Sequence, residues 1–224
     1  MKIVLRVGGS VVASPLNPAL ISKYVALLER LKRQQNQVAL VVGGGTYARD
    51  FIEASKALGL EENIQDEIAI SVSRVLAQLF LKKLGKSGCN DVSLTVEHAA
   101  KCLHEARIPV MGGLKPGMTT DSVAALVCEK IGADLLVKAT DQDGVYDKDP
   151  RKHENAVLLS HLTFDNLPQV FSEDRHKAGI HQIIDPEAVR ILKRLHIRVI
   201  VLNGFKPGNV LSAVEGKPIG TCIE

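Results

Sequence analysis

The stretch Val38-Ala39-Leu40-Val41-Val42-Gly43-Gly44-Gly45-Thr46-Tyr47-Ala48-Arg49 decides the reading of this chain. Five apolar residues in a row read as a strand buried on both faces. The glycines that follow let the backbone turn sharply and come close to a ligand. A helix is expected to start at once, from Thr46. Its first turn carries N–H groups without intrahelical partners and the positive end of the helix dipole, so it attracts anions. Arg49 sits one turn further in, where a guanidinium can grip a phosphate with two donors. Strand, bare-backbone turn and arginine together point to a phosphate site.

The same alternation extends in both directions. Apolar runs predict strands at Lys2–Val7, Val38–Val42, Ile108–Met111, Asp134–Ala139 and Ile197–Leu202. Helical spacing predicts helices at Pro18–Gln34, Thr46–Leu58, Ile64–Leu84, Thr95–Ala106, Asp121–Ile131, Thr163–Val170 and Pro186–Leu195. Asp185-Pro186 is a strong helix start, with Asp as N-cap and Pro in the first helical position. Strands alternating with helices argue for an α/β fold with a mostly parallel sheet and helices on both faces. The glycines fall at strand ends: Gly8-Gly9, Gly43–Gly45, Gly112-Gly113, Gly144 and Gly204. Ligands of open α/β sheets bind at the carboxyl ends of strands, so most of these loops are expected to share one crevice.

Composition excludes several other classes. Among 224 residues, 46% are hydrophobic and 24% charged, the mix of a globular protein. No apolar run approaches the ~20 residues that span a bilayer, and the apolar N-terminus is too short for a signal peptide and is broken by Arg6. A net charge of +3 without a basic block, 4% aromatics and no Trp disfavour nucleic-acid binding. The four cysteines, Cys89, Cys102, Cys128 and Cys222, contain no C-x-x-C pair. That argues against a zinc site and for a cytosolic protein with reduced thiols. His176 and His181 read as solvent-facing or locally bonded, and no metal ligands are expected.

Three further segments carry chemistry. Gly8-Gly9-Ser10 follows the first strand and reads as a second phosphate-approach loop, against the alternative of an ordinary βα turn. Met111-Gly112-Gly113-Leu114-Lys115-Pro116-Gly117-Met118-Thr119-Thr120-Asp121 ends a strand, turns at Pro116-Gly117 and caps a helix. Its two hydroxyls can grip a phosphate or a base edge, and Asp121 can hold a cationic side chain or a metal-bound water. In Lys138 to Pro150, Thr140 and Asp141 suit a nucleotide's phosphate or sugar, and Tyr146 offers a face for an adenine ring. The glycine triplet also fits G-x-G-x-x-A, but no acid-ended strand follows about 20 residues on. Gly85-Lys86-Ser87 lacks the earlier glycine of a Walker loop, because Phe80 stands there.

Taken together, five motifs resemble the amino-acid kinase superfamily, and within it the archaeal type of uridylate (UMP) kinase. They are Gly8-Gly9-Ser10, Gly43–Gly45 with Ala48-Arg49, Thr119-Thr120-Asp121 with Ala124-Ala125, Asp143-Gly144-Val145-Tyr146 with Asp149-Pro150, and Lys177-Ala178-Gly179 leading to Ile184-Asp185-Pro186. The resemblance runs from Lys2 to Ile223. It implies one three-layer α/β/α sandwich over residues 1–224, with the acceptor in the N-terminal part and ATP in the C-terminal part. It implies transfer of the γ-phosphoryl group of ATP to UMP, with Mg²⁺, in pyrimidine nucleotide biosynthesis, by a cytoplasmic homohexamer. By matching positions, Gly9, Ser10, Gly45 and Arg49 lie around the transferring phosphates. Gly44, Asp66 and the run Leu114, Lys115, Pro116, Gly117, Met118, Thr119 and Thr120 match UMP-binding positions, with Asp66 on the ribose hydroxyls. Thr140, Asp141, Tyr146 and Asp149 match the ATP side, and Asp121 is expected to orient rather than act as a base. The helix over Ile64–Leu84 is the dimer contact that the resemblance implies.

The chain departs from the pattern at Arg6 (a lysine in many members), Ala69, Leu76, Met118 and Asp141. Two rival readings remain at this stage. One is another phospho-acceptor kinase of the same fold, such as an isopentenyl phosphate kinase, although Val42 stands where that family usually places a histidine. The other is a nucleotide-binding sensor or storage protein without catalysis.

Overall fold

In the computed structural model, which describes residues 1–167 and 184–224, the apolar run is strand β2 (Gln37–Val42). It pairs in parallel with β1 (Lys2–Val7) and β3 (Val110–Met111), and β1 pairs in parallel with β4 (Leu135–Thr140). Beyond β4 lie β8 (Arg198–Asn203), parallel to it, then β9 (Thr221–Ile223), antiparallel to β8, and β7 (His161–Leu162) at the edge. The order across the seven-stranded sheet is β3-β2-β1-β4-β8-β9-β7. The chain steps from β1 outward to β3 and then returns to the other flank of β1 as β4. That reversal opens a crevice at the carboxyl ends of β1 and β4, where such sheets bind ligands. Strands β5 (Val145–Tyr146) and β6 (Leu158–Leu159) form a separate two-stranded ribbon, tied to β9 by the Thr221 hydroxyl, which accepts from Val145 N at 2.7 Å and donates to Leu159 O at 2.5 Å.

Because strand side chains alternate between faces, the buried strands feed two cores. Ile3, Leu5 and Val7, with Leu40, Val42, Leu135 and Val137, face helices α2 (Pro18–Arg33), α4 (Glu62–Leu84) and α8 (Gly208–Val214). Val4, Val41, Leu136, Val199 and Val201 face α5 (Val96–His104), α6 (Thr120–Ile131) and α7 (Pro186–Arg194). The result is the expected α/β/α layering. Arg6 and Lys138 share the parity of Val4 and Leu136, so both project toward α6.

The helix ends follow local chemistry. Asn17, Thr95, Thr119 and Asp185 each accept a first-turn N–H, and Pro18 and Pro186 occupy first helical positions. Helix α6 stops at Gly132, which adopts a left-handed φ of 61°. In the core, Tyr24 packs edge-on to Phe80 at 6.5 Å between ring centroids. Its hydroxyl donates to Gly204 O at 2.7 Å, which pins the loop after β8. Burial pushes that phenol's pKa upward, so it stays a donor.

Several expectations need correction. The helix after the glycine triplet is α3 (Gly45–Ala57), one residue earlier than expected. A short helix α1 (Gly9–Val12), helix α8, the ribbon β5–β6 and strands β7 and β9 escaped the sequence reading. Each is too brief to display a period. The helix expected over Thr163–Val170 begins with a turn at residues 164–166, and 168–170 lie outside the described residues. Four reduced thiols were expected, yet Cys89 and Cys102 are bonded to each other, with Cα atoms 6.0 Å apart. The cause is tertiary. Cys89 N donates to Ile108 O at 3.2 Å and Arg107 N to Cys102 O at 3.0 Å, which brings the two segments side by side.

Candidate active site

The two glycine loops meet backbone to backbone. A Cβ on Gly9 would lie 1.9 Å from Gly45 N, and one on Gly45 would lie 2.5 Å from Gly9 O. Neither position admits any other residue, and Gly45 also holds φ at +65°. Ser14, from the segment after α1, accepts from Thr46 N at 3.0 Å and so caps α3. One of the amides expected to be open to an anion is therefore already used. Arg49 is exposed and reaches back toward the same helix end, donating to Thr46 Oγ1 at 3.2 Å. Ser10 is half-buried at the start of α1.

Beneath these loops lies a buried charge cluster in which Asp121 holds cationic side chains, as its position suggested, although the sequence did not say which. Asp121, in the first turn of α6, faces Arg6 from β1 and Lys138 from β4. Arg6 Nε stands 2.9 Å from Asp121 Oδ1, as an ion pair rather than an aligned hydrogen bond. Lys138 Nζ donates to Asp121 Oδ2 at 2.5 Å. Arg6 Nη2 also donates to Thr120 Oγ1 at 2.9 Å. Register explains the meeting, because Arg6 and Lys138 are direct partners across the parallel β1–β4 ladder. Burial pushes the Asp121 carboxyl upward, but the charges of Arg6 and Lys138 outweigh it and hold it below the usual carboxylate range. Burial and the neighbouring Arg6 push the Lys138 ammonium below its ordinary value, against the pull of Asp121. The cluster gathers two cations around Asp121, and the Asp185 carboxylate also acts on Lys138. It is also open to the loops: a Cβ on Gly8 would lie 3.1 Å from Arg6 Nη1, and one on Gly43 3.5 Å from Arg6 Nη2. Bare backbone at Gly8 and Gly43 is what lets the guanidinium approach the crevice.

The segment Leu114–Thr120 runs between α4 and α6. Asp66 Oδ2 accepts from Gly117 N at 2.7 Å, so Asp66 does join this loop. Ser73 Oγ accepts from Gly113 N at 2.8 Å, and Arg74 donates to Gly113 O at 3.0 Å and Leu114 O at 2.9 Å. Lys115 and Gly117 are exposed, Leu114 and Pro116 half-buried, and Met118 packs partly on the α6-side core. The hydroxyls of Thr119 and Thr120 are both engaged. Thr119 caps α6 and donates to Asp185, which also accepts from Ser122 Oγ at 2.8 Å. Thr120 accepts from Arg6. Gly44 abuts Ala48, where a Cβ would lie 2.4 Å from that methyl.

On the opposite flank, Thr140 ends β4 and its hydroxyl donates to Asp141 Oδ1 at 3.1 Å. Arg151 ties this loop together by pairing with Asp141 Oδ2 at 2.5 Å while its N–H donates to Asp149 Oδ1 at 3.0 Å. Tyr146 lies half-buried in β5, and burial and the Asp143 carboxylate push its phenol upward. Asn203, at the end of β8, donates to Asp143 Oδ1 at 2.9 Å and links that strand to the same loop.

The structure thus brings Thr120 and Asp121 together with Gly8 and Gly43 around Arg6, sets Gly9 against Gly45 beside them, and places Thr140, Asp141, Tyr146 and Asp149 on the adjoining loop. Asp66 and Leu114–Thr119 form a second flank. Arg6, Ser73, Arg74, Lys138 and Arg151 are the polar groups of this region that sequence reading left without a partner or a place. Strand parity pairs Arg6 with Lys138 once the order β2-β1-β4 is known, and nothing in the sequence signals Arg74. The motif Lys177-Ala178-Gly179 and residues His176 and His181 lie outside the described residues.

Known proteins carry the same framework. The model of the amino acid kinase family matches residues 1–203. The uridylate kinase of Methanococcoides burtonii is 38% identical over 99% of this chain and 94% of its own. That of Methanocaldococcus jannaschii is 38% identical over the full length of both. The crystal structure of uridylate kinase from Archaeoglobus fulgidus superposes with a TM-score of 0.89 at 37% identity, covering all of both chains. With the glycine loops, the sheet order and the full-length match in agreement, the chain belongs to the amino acid kinase family.

Proposed function

We propose that this protein is a UMP kinase, which transfers the γ-phosphoryl group of ATP to the α-phosphate of UMP and yields UDP and ADP. The observation that carries this reading is the Arg6–Asp121–Lys138 cluster, with the Arg6 guanidinium directly beneath two backbone-only loops. Phosphoryl transfer asks the protein mainly for alignment and charge neutralisation. Bare amides of Gly9, Ser10 and Gly45, the Arg6 guanidinium, the Lys138 ammonium and Arg49 supply both. Asp121, already ionised and held by two cations, aims them and stores no proton for the reaction. None is needed, because the phosphate of UMP is itself an anionic nucleophile. Arg6 supplies a fixed guanidinium where many family members carry a lysine, and a planar fork suits phosphate oxygens.

Gly44, Asp66 and Leu114–Thr120 are proposed to hold UMP, and Thr140, Asp141, Tyr146 and Asp149 to hold ATP, within one domain spanning residues 1–224. Mg²⁺ is proposed to enter on the phosphates of ATP as part of the substrate. Among the described residues, no three His, Cys, Asp or Glu side chains gather into a metal cage, and Mg²⁺ commonly binds through phosphates, waters and one or two carboxylates. A homohexamer working in cytoplasmic pyrimidine synthesis completes the proposal. Exposed Phe51 on α3, Leu58 just after it, and Ile64, Val75 and Leu79 on α4 support subunit contact through that face. No helix among the described residues is long and apolar enough to cross a membrane.

The test is turnover with ATP and a panel of acceptors. UMP is expected well ahead of CMP, AMP, GMP and isopentenyl phosphate in kcat/KM. The Leu114–Thr120 loop offers backbone donors and acceptors but no side-chain carboxylate for a cytosine amino group. A site built to pair uracil's N–H and two carbonyls leaves buried partners unpaired with the wrong base. A higher kcat/KM for CMP or isopentenyl phosphate would refute the acceptor, and no turnover with any acceptor would favour the non-catalytic reading.

Asp66→Ala is expected to weaken UMP binding by about 1.5–3 kcal/mol, because charge-assisted hydrogen bonds are lost, while ATP binding stays near normal. Titration calorimetry with each nucleotide separates the two, and unchanged UMP affinity would remove Asp66 from the site.

A further inference from the structure

One stripe of α4 carries Asp66, Ile70, Ser73 and Arg74, at helical spacing i, i+4, i+7 and i+8, and the loop from Gly112 to Gly117 lies directly on it. The contact is at backbone distance. A Cβ on Gly112 would lie 2.7 Å from Ser73 Oγ, and one on Gly113 2.9 Å from Ile70 Cγ1. Asp66 and Ser73 each take one loop N–H, from Gly117 and Gly113. Arg74 does something different. Its part-buried guanidinium takes two successive carbonyls, Gly113 O through Nε and Leu114 O through Nη2.

A trans peptide points its N–H opposite to its C=O. Fixing the carbonyls of residues 113 and 114 toward α4 therefore turns the N–H groups of Leu114 and Lys115 the other way, side by side. Neither N–H has a hydrogen-bond partner among the described residues. Two adjacent, unpartnered amides facing one direction form a preorganised donor pair, the kind of backbone concavity that binds electron-rich oxygens.

We infer that Arg74 is a positioning residue for acceptor recognition, holding the Leu114 and Lys115 amides as donors for the carbonyl edge of the acceptor base. This rests on the proposal that Leu114–Thr120 binds UMP. Uracil presents carbonyl oxygens on its pairing edge, whereas cytosine replaces one of them with an amino group, which is itself a donor and opposes an N–H. Arg74 thus enforces uracil over cytosine without touching the base. Its loss lets the two carbonyls swing free and offers cytosine's amino group the acceptors it lacks.

The experiment measures kcat and KM for UMP, CMP and ATP in the wild type, Arg74→Met and Arg74→Lys. Arg74→Met keeps most of the side chain's stem and removes both donors. It is expected to raise KM for UMP about 10-fold or more and to lower the UMP:CMP ratio of kcat/KM by about as much, as loss of charged hydrogen bonds does. KM for ATP should stay near normal. Arg74→Lys, with a single point charge, should recover part of the ratio. The ratio does not depend on how much enzyme is folded, so it separates positioning from simple destabilisation. An unchanged ratio in either variant overturns the inference. If Arg74→Met is too unstable to assay, the ratio in Arg74→Lys decides alone. Wild-type enzyme that does not prefer UMP at all would refute the acceptor assignment instead, which is a distinguishable outcome.

Discussion

Arg49→Ala is expected to lower kcat for UMP phosphorylation about 10³-fold or more, the scale of a charge-stabilising arginine at a transferring phosphoryl group. The side chain stands at the mouth of the glycine loops, exposed, with Thr46 Oγ1 as its hydrogen-bond partner at 3.2 Å. Truncation therefore leaves no buried group unpaired, and the urea midpoint should match that of the wild type. Arg49→Lys should recover only part of the rate, because an ammonium keeps the charge and loses the two-pronged geometry. Single-turnover kinetics beside equilibrium unfolding make the comparison. Near-normal turnover in Arg49→Ala would reduce this residue to helix surface.

Asp121→Ala is expected to have the opposite profile, with stability and catalysis lost together. It leaves Arg6 and Lys138, neighbours of like charge, without the carboxylate they share. Removing one member of a buried ionic group costs about 3–5 kcal/mol. Asp121→Asn keeps the shape and some hydrogen bonding, and so isolates the charge. Its comparison with wild type carries a pH signature. The Asp121 carboxyl is held below its ordinary value, so the folded protein takes up that proton less readily than the unfolded chain does. The carboxylate's contribution is complete above the unfolded value of about 3.9 and fades as pH falls through the lower, folded one. The stability gap between wild type and Asp121→Asn should therefore be level from about pH 5 to 8 and shrink below about pH 4. Urea midpoints across that range measure it. A gap that is small at neutral pH, or that widens in acid, would contradict the cluster's role.

Much of the frame was legible because it depends on local periodicity. Val38–Val42 is a continuous apolar stretch and Lys2–Val7 a mostly apolar one, each running into glycines at its carboxyl end, and a central parallel strand buried on both faces looks like that in any context. Asp185-Pro186 starts a helix by its own capping chemistry. Gly9 and Gly45 were identified as loop residues from the strand ends they follow. Their mutual contact, which forbids any side chain, required the two loops to be seen together. Strands such as β9, Thr221–Ile223, stayed hidden because three residues cannot display alternation and because the pairing partner, β8, is supplied from elsewhere in the fold.

The sequence by itself determined the layered α/β class, the carboxyl-end placement of the glycine loops and the family, since these follow from hydrophobic period, turn chemistry and motif order. Tertiary structure alone decided which charges meet. Arg6 and Lys138 become neighbours only because the chain reverses across β1 and sets β4 beside it in register. Asp121 reaches both only because α6 crosses that face with its first turn over the same point. Arg74 finds the carbonyls of Gly113 and Leu114 only once α4 docks against the loop from Gly112 to Gly117. Local sequence sets the direction of a side chain relative to its own strand or helix. Its partner is set by strand order and helix packing, which are properties of the whole buried core.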